Sequence, residues 1–197
     1  MNIANKLTLC RLLGTVLFIA LLLSGLPYTK SISLIIFILA CLTDWIDGKL
    51  ARRLQIESDF GRLMDPLVDK ILMTSAFIAF IEIPEISLSS VIVIIIIGRE
   101  FCITGLRLLA ASKGTIIPAD VLGKHKTISQ VTAIISILVY LSYLELNRSF
   151  SFIALPAGLE KFYVFYINSV LVITVIMTLV SGFSYLRKSW TLIKSDV

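Results

Sequence analysis

The sequence predicts an all-α membrane protein in which six apolar helices cross the bilayer. Of the 197 residues, 57% are hydrophobic and only 16% are charged, and the mean hydropathy is +0.96. An ordinary soluble domain has about 25% charged residues. The apolar residues also fall into long runs, each near the length that crosses roughly 30 Å of hydrocarbon. We therefore expect a single transmembrane domain over residues 1–197.

Six apolar segments follow one another, separated by charged stretches or by stretches with glycine or proline. The predicted spans are 9–26, 31–51, 66–83, 88–111, 127–146 and 162–186. The first resembles a signal peptide, but it lacks a clear small-residue cleavage site and is interpreted as a retained helix. The start of the third helix is open. Pro66 suits the first turn of a helix capped by Asp65, but it would bend a helix that begins near Ser58.

The distribution of positive charge predicts the orientation. Fifteen of the 18 Lys and Arg residues fall on one side of the six-helix topology, and only Lys30, Arg148 and Lys161 fall on the other. Positively charged residues concentrate on the cytoplasmic side of membrane proteins. Both termini are therefore expected in the cytoplasm. The net charge of +5 is interpreted as topology and attraction to anionic lipid, not as nucleic-acid binding.

Cysteine and histidine offer no metal site in this sequence. The three cysteines lie in or beside apolar segments and are expected to be buried thiols without a chemical role: Cys10, Cys41 and Cys102. The single His125 cannot build a histidine site alone, and we expect it to orient a neighbour or to face water.

Four aspartates interrupt the apolar pattern where the second and third predicted helices adjoin. Asp44 and Asp47 are three residues apart, and Asp65 and Asp69 are four apart, so each pair shares a helix face. Two helices joined by a short loop are usually antiparallel neighbours. The two pairs can therefore face each other near the cytoplasmic interface.

Such a group of carboxylates indicates a cation site. Clustered carboxylates repel one another, so they must hold protons or bind cations. Mg²⁺ and Mn²⁺ prefer oxygen ligands, and a two-metal site can activate a hydroxyl and polarise a phosphoryl group. Arg52 and Arg53 add donors for phosphate oxygens. The residues favour phosphoryl transfer on a lipid-linked phosphate. An ion or proton pathway in a transporter is the alternative.

The same residues resemble the signature of the CDP-alcohol phosphatidyltransferases. That signature is D-x-x-D-G-x-x-A-R, then eight residues, then G-x-x-x-D-x-x-x-D. Every fixed position is filled in this chain, by Asp44, Asp47, Gly48, Ala51, Arg52, Gly61, Asp65 and Asp69. The resemblance implies the six-helix fold of that family. It also implies transfer of a phosphatidyl group from a CDP-linked lipid to an alcohol, with release of CMP.

The resemblance further implies roles for these residues. Two Mg²⁺ or Mn²⁺ ions would be held by Asp44, Asp47, Asp65 and Asp69, and Asp69 would also act as general base. CDP-diacylglycerol would be bound by Asp47, Gly48, Ala51, Arg52, Gly61 and Asp65. The small residues leave room for the cytidine nucleotide, and Arg52 binds the pyrophosphate.

Three further stretches resemble one branch of the family, the bacterial phosphatidylglycerophosphate synthases, whose acceptor is glycerol 3-phosphate. They are NIANKLTLCRLL at the start, GREFCITGLRLLAASKG at 98–114 and LGKHKTISQ at 122–130. Ala4 departs from the proline usual in the first stretch, which should alter only how the first helix begins. The resemblance implies a multi-pass enzyme of the bacterial inner or plasma membrane, among membrane lipids, with a homodimer left open. Inositol phosphate, serine or a second lipid stay open as other acceptors.

Glycerol 3-phosphate is a small dianion, so it needs cations beyond the metals. Four residues form the predicted acceptor site: Arg99, Arg107, Lys124 and Lys126. Arg99 and Arg107 are eight residues apart, roughly on one helix face, and lie within an apolar run. Charges there are costly and usually functional. Glu100 is expected to pair with one of the cations, whereas Lys113 is explained equally well as an ordinary flanking charge.

Overall fold

The computed structural model describes residues 3–54, 59–112, 121–150 and 156–188, and these ranges are helical apart from short turns. Within them, side chains are described except at 3–8, 44–54, 59–67, 69, 121, 150 and 157. The helices are α1 (Ile3–Leu23), α2 (Thr29–Leu54), α3 (Asp59–Ile81), α4 (Ser90–Ser112), α5 (Val121–Phe150) and α6 (Ala157–Lys188). No strand occurs in the described ranges, which confirms the all-α prediction.

Each predicted apolar span coincides with one helix, but several helices are longer than their span. Hydropathy marks only the part of a helix suited to hydrocarbon, whereas backbone hydrogen bonding continues into the polar flanks. The clearest case is α3, which begins at Asp59. Of the two starts that the sequence leaves open, the structure therefore has the one near Ser58, and Asp65 does not cap the helix. Pro66 lies inside the helix, where it lacks the N–H that would bond to the carbonyl of Arg62.

Within the described ranges, two helical stretches are long and apolar enough to cross a membrane, Leu122–Ser149 and Gly158–Lys188. Shorter apolar stretches occupy α1, α2 and α3 over Leu9–Leu23, Thr29–Thr43 and Lys70–Ile81. The otherwise apolar α4 carries Arg99, Glu100 and Arg107. The structure therefore supports a helical chain with two candidate membrane helices, and six crossings stay a prediction.

The outward faces of the helices are apolar. Val172, Ile176, Leu179 and Phe183 of α6 are all exposed, Phe183 by 70%. Apolar surface of this extent is a liability in water but suits contact with lipid. Cys10 and Cys102 are likewise exposed, so the prediction that they are buried is wrong. Both lie on helices whose outer faces are open and apolar, which accounts for their exposure.

The chain divides into two compact units. The first contains Met1–Ser87 and Ile134–Glu160, and the second contains Leu88–Ala133 and Lys161–Val197. Helix α5 is thus shared, with its first part in the second unit and its last part in the first. The prediction of one catalytic domain is left as it stands, because the division describes packing and not activity.

The first unit is built around α1, which packs against both α2 and α3. The rings of Phe18 and Phe37 are buried with their centroids 5.7 Å apart, a favourable tilted arrangement. On α3 the buried residues recur every third or fourth position, as Val68, Leu72, Ala76 and Phe80. This spacing is one face of a helix, so α3 contributes a continuous apolar stripe to the core.

The turn between α1 and α2 is fixed by backbone conformation and by a carboxylate of α5. Gly25 has a φ of 65°, the left-handed conformation that commonly ends a helix. At the start of α2, the Glu145 carboxylate accepts hydrogen bonds from the backbone N–H of Lys30 and of Ser31, both at 3.0 Å. These are amides without partners inside the helix. Glu145 therefore caps α2 and ties the last part of α5 to the first unit.

An ion pair between Arg148 and Glu85 lies near this end of the unit. Arg148 donates a hydrogen bond from Nη2 to Glu85 Oε1 at 3.0 Å, and its side chain is 71% exposed. A backbone hydrogen bond at Glu85 lowers the pKa of its carboxyl from the ordinary value of 4.5, partial burial opposes that shift, and Arg148 adds to it. The pair is of the surface kind, which contributes little to stability.

The second unit combines α4, the first part of α5 and most of α6. Besides Gly182, the buried residues described on α6 are Ile167, Leu171, Thr174, Thr178, Ser181 and Tyr185. Their alternating spacing of four and three residues defines one helix face. The first half of this face is apolar and the second half is polar, so the second unit buries polar groups toward the C-terminal end of α6.

Candidate active site

The aspartate signature occupies the adjoining ends of α2 and α3. Asp44 lies in the second half of α2, about 22 Å along the axis from Thr29 at 1.5 Å per residue. Asp65 lies near the start of α3, a comparable distance from its far end at Ile81. The signature is therefore at the end of these helices opposite to the one that Glu145 caps.

The early start of α3 has a consequence for the signature. Because the helix is continuous from Asp59, Gly61, Asp65 and Asp69 are spaced by four residues within it and share one face. A helix starting at Asp65 would have left Gly61 outside this register. The aspartates of α2 share a face in the same way, being three apart within a continuous helix.

The side chains of the signature lie outside the described set. Metal binding by Asp44, Asp47, Asp65 and Asp69 therefore stays a prediction, as does the binding of CDP-diacylglycerol by Asp47, Gly48, Ala51, Arg52, Gly61 and Asp65. The described side chains form no group of three His, Cys, Asp or Glu residues that could hold a metal. Four carboxylates at helical spacing on two adjoining helix ends nonetheless fit Mg²⁺ or Mn²⁺, since both ions take oxygen ligands.

The predicted acceptor cations lie in the second unit, where a carboxylate joins two of them. Arg99 donates from Nη1 to Glu100 Oε1 at 3.2 Å, and Lys126 Nζ donates to the same oxygen. The side chains are 12%, 15% and 3% exposed for Arg99, Glu100 and Lys126. The expectation that Glu100 pairs with one of the cations is confirmed, and it pairs with two. One carboxylate thus joins two cations in a largely buried place.

Arg107 is held by a tyrosine of α6. Arg107 Nη2 donates a hydrogen bond to Tyr185 Oη, and its Cζ lies 5.1 Å from the centroid of the Tyr185 ring. Arg99 Cζ lies 6.0 Å from the same centroid. Guanidinium groups within about 6 Å of an aromatic ring are attracted to its face. Tyr185, which is 1% exposed, thus joins the two arginines.

The polar half of the α6 face buries hydroxyl groups in the same unit as these cations. Thr174 Oγ1 donates to the backbone oxygen of Ser129 at 3.1 Å, which links α6 to α5. Thr178 Oγ1 donates to the carbonyl of Thr174, and Ser181 Oγ to that of Thr178. The hydroxyls are therefore satisfied by backbone carbonyls, which makes their burial in an apolar helix affordable in energy.

Two buried donors in this unit lack an acceptor among the described contacts, Arg99 Nε and Gln130 Nε2. Gln130 is 3% exposed and lies one helical turn beyond Lys126. A buried donor without a partner costs about 1–3 kcal/mol. An oxygen-rich anion would satisfy such donors, so their chemistry fits the predicted phosphate. Sequence reasoning missed Gln130, although its spacing of four from Lys126 was a signal.

The remaining predicted cations are placed differently. Lys124 is exposed on α5, and in the part of the chain that the structure describes it makes no ion pair. Its neighbour His125 is also exposed, in agreement with a residue that faces water. Lys113 lies outside the described residues. The structure therefore brings Arg99, Arg107 and Lys126 together through Glu100 and Tyr185, and it does not bring Lys124 into that group.

An all-helical chain with a complete aspartate signature at adjoining helix ends defines a class of membrane-bound transferase. The chain belongs to the CDP-alcohol phosphatidyltransferase family, whose model matches residues 1–180. The match confirms the family that the aspartate signature indicated, and it extends over nearly the whole sequence. This family is membrane-associated.

Individual relatives narrow the similarity within the family. The chain is 32% identical to the CDP-diacylglycerol–glycerol-3-phosphate 3-phosphatidyltransferase of Bacillus subtilis (strain 168), over 99% of this chain and 98% of that protein. It is also 32% identical to the protein of the same name from Pseudomonas fluorescens, over 100% of this chain and 94% of that protein. A cardiolipin synthase (CMP-forming) of Oryza sativa subsp. japonica is 33% identical, but over 70% of this chain and 46% of that protein.

Proposed function

We propose that this protein transfers the phosphatidyl group of CDP-diacylglycerol to glycerol 3-phosphate, giving phosphatidylglycerophosphate and CMP. The observation that carries the proposal is similarity along the whole chain to bacterial enzymes named for this reaction. The complete signature between Asp44 and Asp69 supports the shared part of the reaction, which is attack on a CDP-linked lipid. Phosphatidylglycerophosphate formation is a step of phospholipid biosynthesis.

A cluster of three cations in the second unit supplies the acceptor specificity in this proposal. Arg99, Arg107 and Lys126 are gathered around Glu100 and Tyr185. A dianionic phosphate is attracted by these cations. The Nε of Arg99, which has no acceptor among the described contacts, is one donor for it. Charge-assisted hydrogen bonds of this kind are among the stronger ones in proteins. Lys124 contributes from the exposed surface of α5.

The aspartates of α2 and α3 supply the chemistry. Asp44, Asp47, Asp65 and Asp69 hold two divalent ions, Mg²⁺ or Mn²⁺. When bound, such ions neutralise charge on the pyrophosphate and acidify a hydroxyl near them. Asp69 accepts the proton of the acceptor hydroxyl as its oxygen bonds to the phosphorus that carries diacylglycerol. The bond from that phosphorus to CMP breaks, and CMP leaves.

The membrane topology belongs to the same proposal. The protein crosses a bacterial inner or plasma membrane six times, with both termini and the aspartate signature on the cytoplasmic side. The charge distribution supports this orientation, since fifteen of the 18 Lys and Arg residues fall on that side. Soluble glycerol 3-phosphate then reaches the site from the cytoplasm, while CDP-diacylglycerol reaches it from the bilayer. A homodimer is compatible with this arrangement.

An acceptor panel tests the proposed function. The purified protein, in detergent micelles with CDP-diacylglycerol and Mg²⁺ or Mn²⁺, is offered glycerol 3-phosphate, inositol phosphate, serine or phosphatidylglycerol, and CMP is measured. We expect CMP release with glycerol 3-phosphate and not with the other acceptors. CMP release with serine or inositol phosphate alone would assign another acceptor. Ion flux in liposomes without CMP release would favour a transporter.

One other acceptor has a specific observation in its favour. The rice relative is named as a cardiolipin synthase that forms CMP, which suggests a lipid acceptor, phosphatidylglycerol. The chain spans less than half of that relative, whereas it spans nearly the whole of the two bacterial ones. The acceptor panel separates the two candidates directly, because phosphatidylglycerol is one of its arms.

A further inference from the structure

The guanidinium groups of two arginines lie close to the ring of Tyr185, although the two residues are far apart along α4. Arg99 and Arg107 are eight residues apart on α4, so their Cα atoms are separated by about 12 Å along the helix axis. Their guanidinium carbons nevertheless lie 6.0 and 5.1 Å from one ring centroid. The two arginine side chains must therefore extend toward each other along α4, and both contact the ring of Tyr185.

Two guanidinium groups near one ring repel each other, so other contacts must offset this repulsion. Glu100 compensates Arg99 and Lys126, while Arg107 is anchored to Tyr185 by a hydrogen bond from Nη2 to Oη. The negative face of an aromatic ring attracts cations without neutralising them. Tyr185 can therefore gather positive charge and still leave that charge available to an anion. Fixing the cations beforehand lowers the entropy lost when a ligand binds.

A glycine on the same helix makes room for one of the arginines. Gly182 is buried three residues before Tyr185 on α6. A Cβ atom built at Gly182 would lie 3.1 Å from Arg99 Cγ, which is closer than most Cβ contacts. The stem of Arg99 thus lies directly against the α6 backbone. A larger residue at 182 would push that stem and its guanidinium away.

We propose that Tyr185 and Gly182 are positioning residues, which fix Arg99 and Arg107 of α4 for the phosphate of the acceptor. The proposal rests on the proposed function, in which these arginines bind that phosphate. Neither α6 residue belongs to the aspartate signature. The polar half of α6 thereby becomes part of the acceptor site through the arginines, without itself contacting the reacting atoms.

Substitutions at Tyr185 test the proposal by separating the two substrates. Tyr185→Phe keeps the ring and removes the hydroxyl, so KM for glycerol 3-phosphate should rise about tenfold. Tyr185→Leu removes the ring as well and should raise that KM about a further tenfold. KM for CDP-diacylglycerol should stay within about twofold in both. Tyr166→Phe is the matched control, because Tyr166 lies on the same helix and is exposed; it should behave as wild type.

Substitution of the glycine gives a second measurement that leaves the tyrosine intact. Gly182→Ala should raise KM for glycerol 3-phosphate about tenfold or more, since small displacements of a positioning group have large effects. Gly105→Ala is its control, because a Cβ at Gly105 meets nothing within 4 Å on the helix that carries both arginines. Equal increases in KM for both substrates would mean a general structural role and would overturn the proposal.

A double-mutant cycle distinguishes failure of this inference from failure of the proposed function. In an Arg107→Ala background, Tyr185→Phe should change KM for glycerol 3-phosphate by less than about twofold, because its partner is already absent. If Arg107→Ala raises that KM and Tyr185→Phe alone does not, the arginine binds the acceptor but Tyr185 does not position it. If Arg107→Ala leaves it unchanged, the acceptor site is elsewhere and the proposed function of these arginines fails.

Discussion

The replacement of Glu100 by glutamine should destabilise the protein by about 3 kcal/mol, the lower end of the cost of breaking a buried ion pair. Glutamine retains an acceptor oxygen but removes the charge that faces Arg99 and Lys126. Those side chains are 12% and 3% exposed, so water cannot replace the lost charge. The variant therefore leaves Arg99 and Lys126 facing a neutral amide in place of a carboxylate.

The matched control is Glu85→Gln, which removes the charge of the carboxylate that pairs with Arg148. Its partner Arg148 has a side chain 71% exposed, so water and salt compensate the loss. Exposed ion pairs of this kind contribute about 0–1 kcal/mol. The two substitutions are chemically identical, and burial is the difference that the comparison isolates.

Both variants are measured by reversible unfolding in mixed micelles, with helicity followed as the denaturing detergent is increased. Inorganic phosphate should recover part of the stability of Glu100→Gln, because an anion that binds only the folded state stabilises it by mass action. The same phosphate should have a smaller effect on Glu85→Gln. The reasoning is refuted if Glu100→Gln is no less stable than Glu85→Gln.

Four other predictions follow from the proposed chemistry and from the ion pair between Arg148 and Glu85. Excess EDTA should abolish CMP release, and Asp44→Asn should do so without unfolding the protein. Arg107→Ala should raise KM for glycerol 3-phosphate roughly ten- to a hundredfold above any change for CDP-diacylglycerol; equal changes would remove it from the acceptor site. Asp69→Asn should retain CDP-diacylglycerol binding, yet lower kcat by about two to four orders of magnitude; near-normal turnover would place the base elsewhere. The folded-state pKa of Glu85 is lowered. The contribution of its carboxylate to stability should therefore be present above the ordinary pKa and be lost as pH falls through the folded-state pKa. A difference in the free energy of unfolding between wild type and Glu85→Gln that does not shrink in acid would contradict this.

The positions of the described helices were largely predictable, because the local sequence of each helix contains an apolar run. Apolar runs bounded by breakers located all six helices, and local composition sufficed for that. The start of α3 was not decided, since Pro66 is compatible both with a first turn and with a tolerated interior position. The helix nevertheless continues from Asp59 through Pro66, an outcome that the local sequence pattern does not decide.

The acceptor site was predictable in its charges and not in its architecture. Arg99, Arg107 and Lys126 stood out as charges in or beside apolar runs. The tyrosine that holds Arg107 is 78 residues away in sequence, so no spacing rule could pair them. A signal did exist on α6, where polar residues recur at alternating intervals of four and three from Thr174 to Tyr185 within an apolar helix.

The cap of α2 and the exposure of two cysteines likewise could not be predicted from local sequence. The cap of α2 could not be predicted, because the hydrogen bonds that Glu145 accepts from Lys30 and Ser31 span more than a hundred residues. The exposure of Cys10 and Cys102 depends on which face of an apolar helix points outward. In a membrane protein both faces are apolar, so hydropathy alone does not distinguish them.

The most direct test of the central claim is incorporation of radiolabelled glycerol 3-phosphate into lipid by the purified protein. With CDP-diacylglycerol and a divalent ion, we predict that label enters the lipid fraction as phosphatidylglycerophosphate, with one CMP released for each acceptor incorporated. Omitting CDP-diacylglycerol should prevent incorporation. Label that stays in the aqueous phase while CMP accumulates, or the absence of both products from a folded protein, would contradict the account.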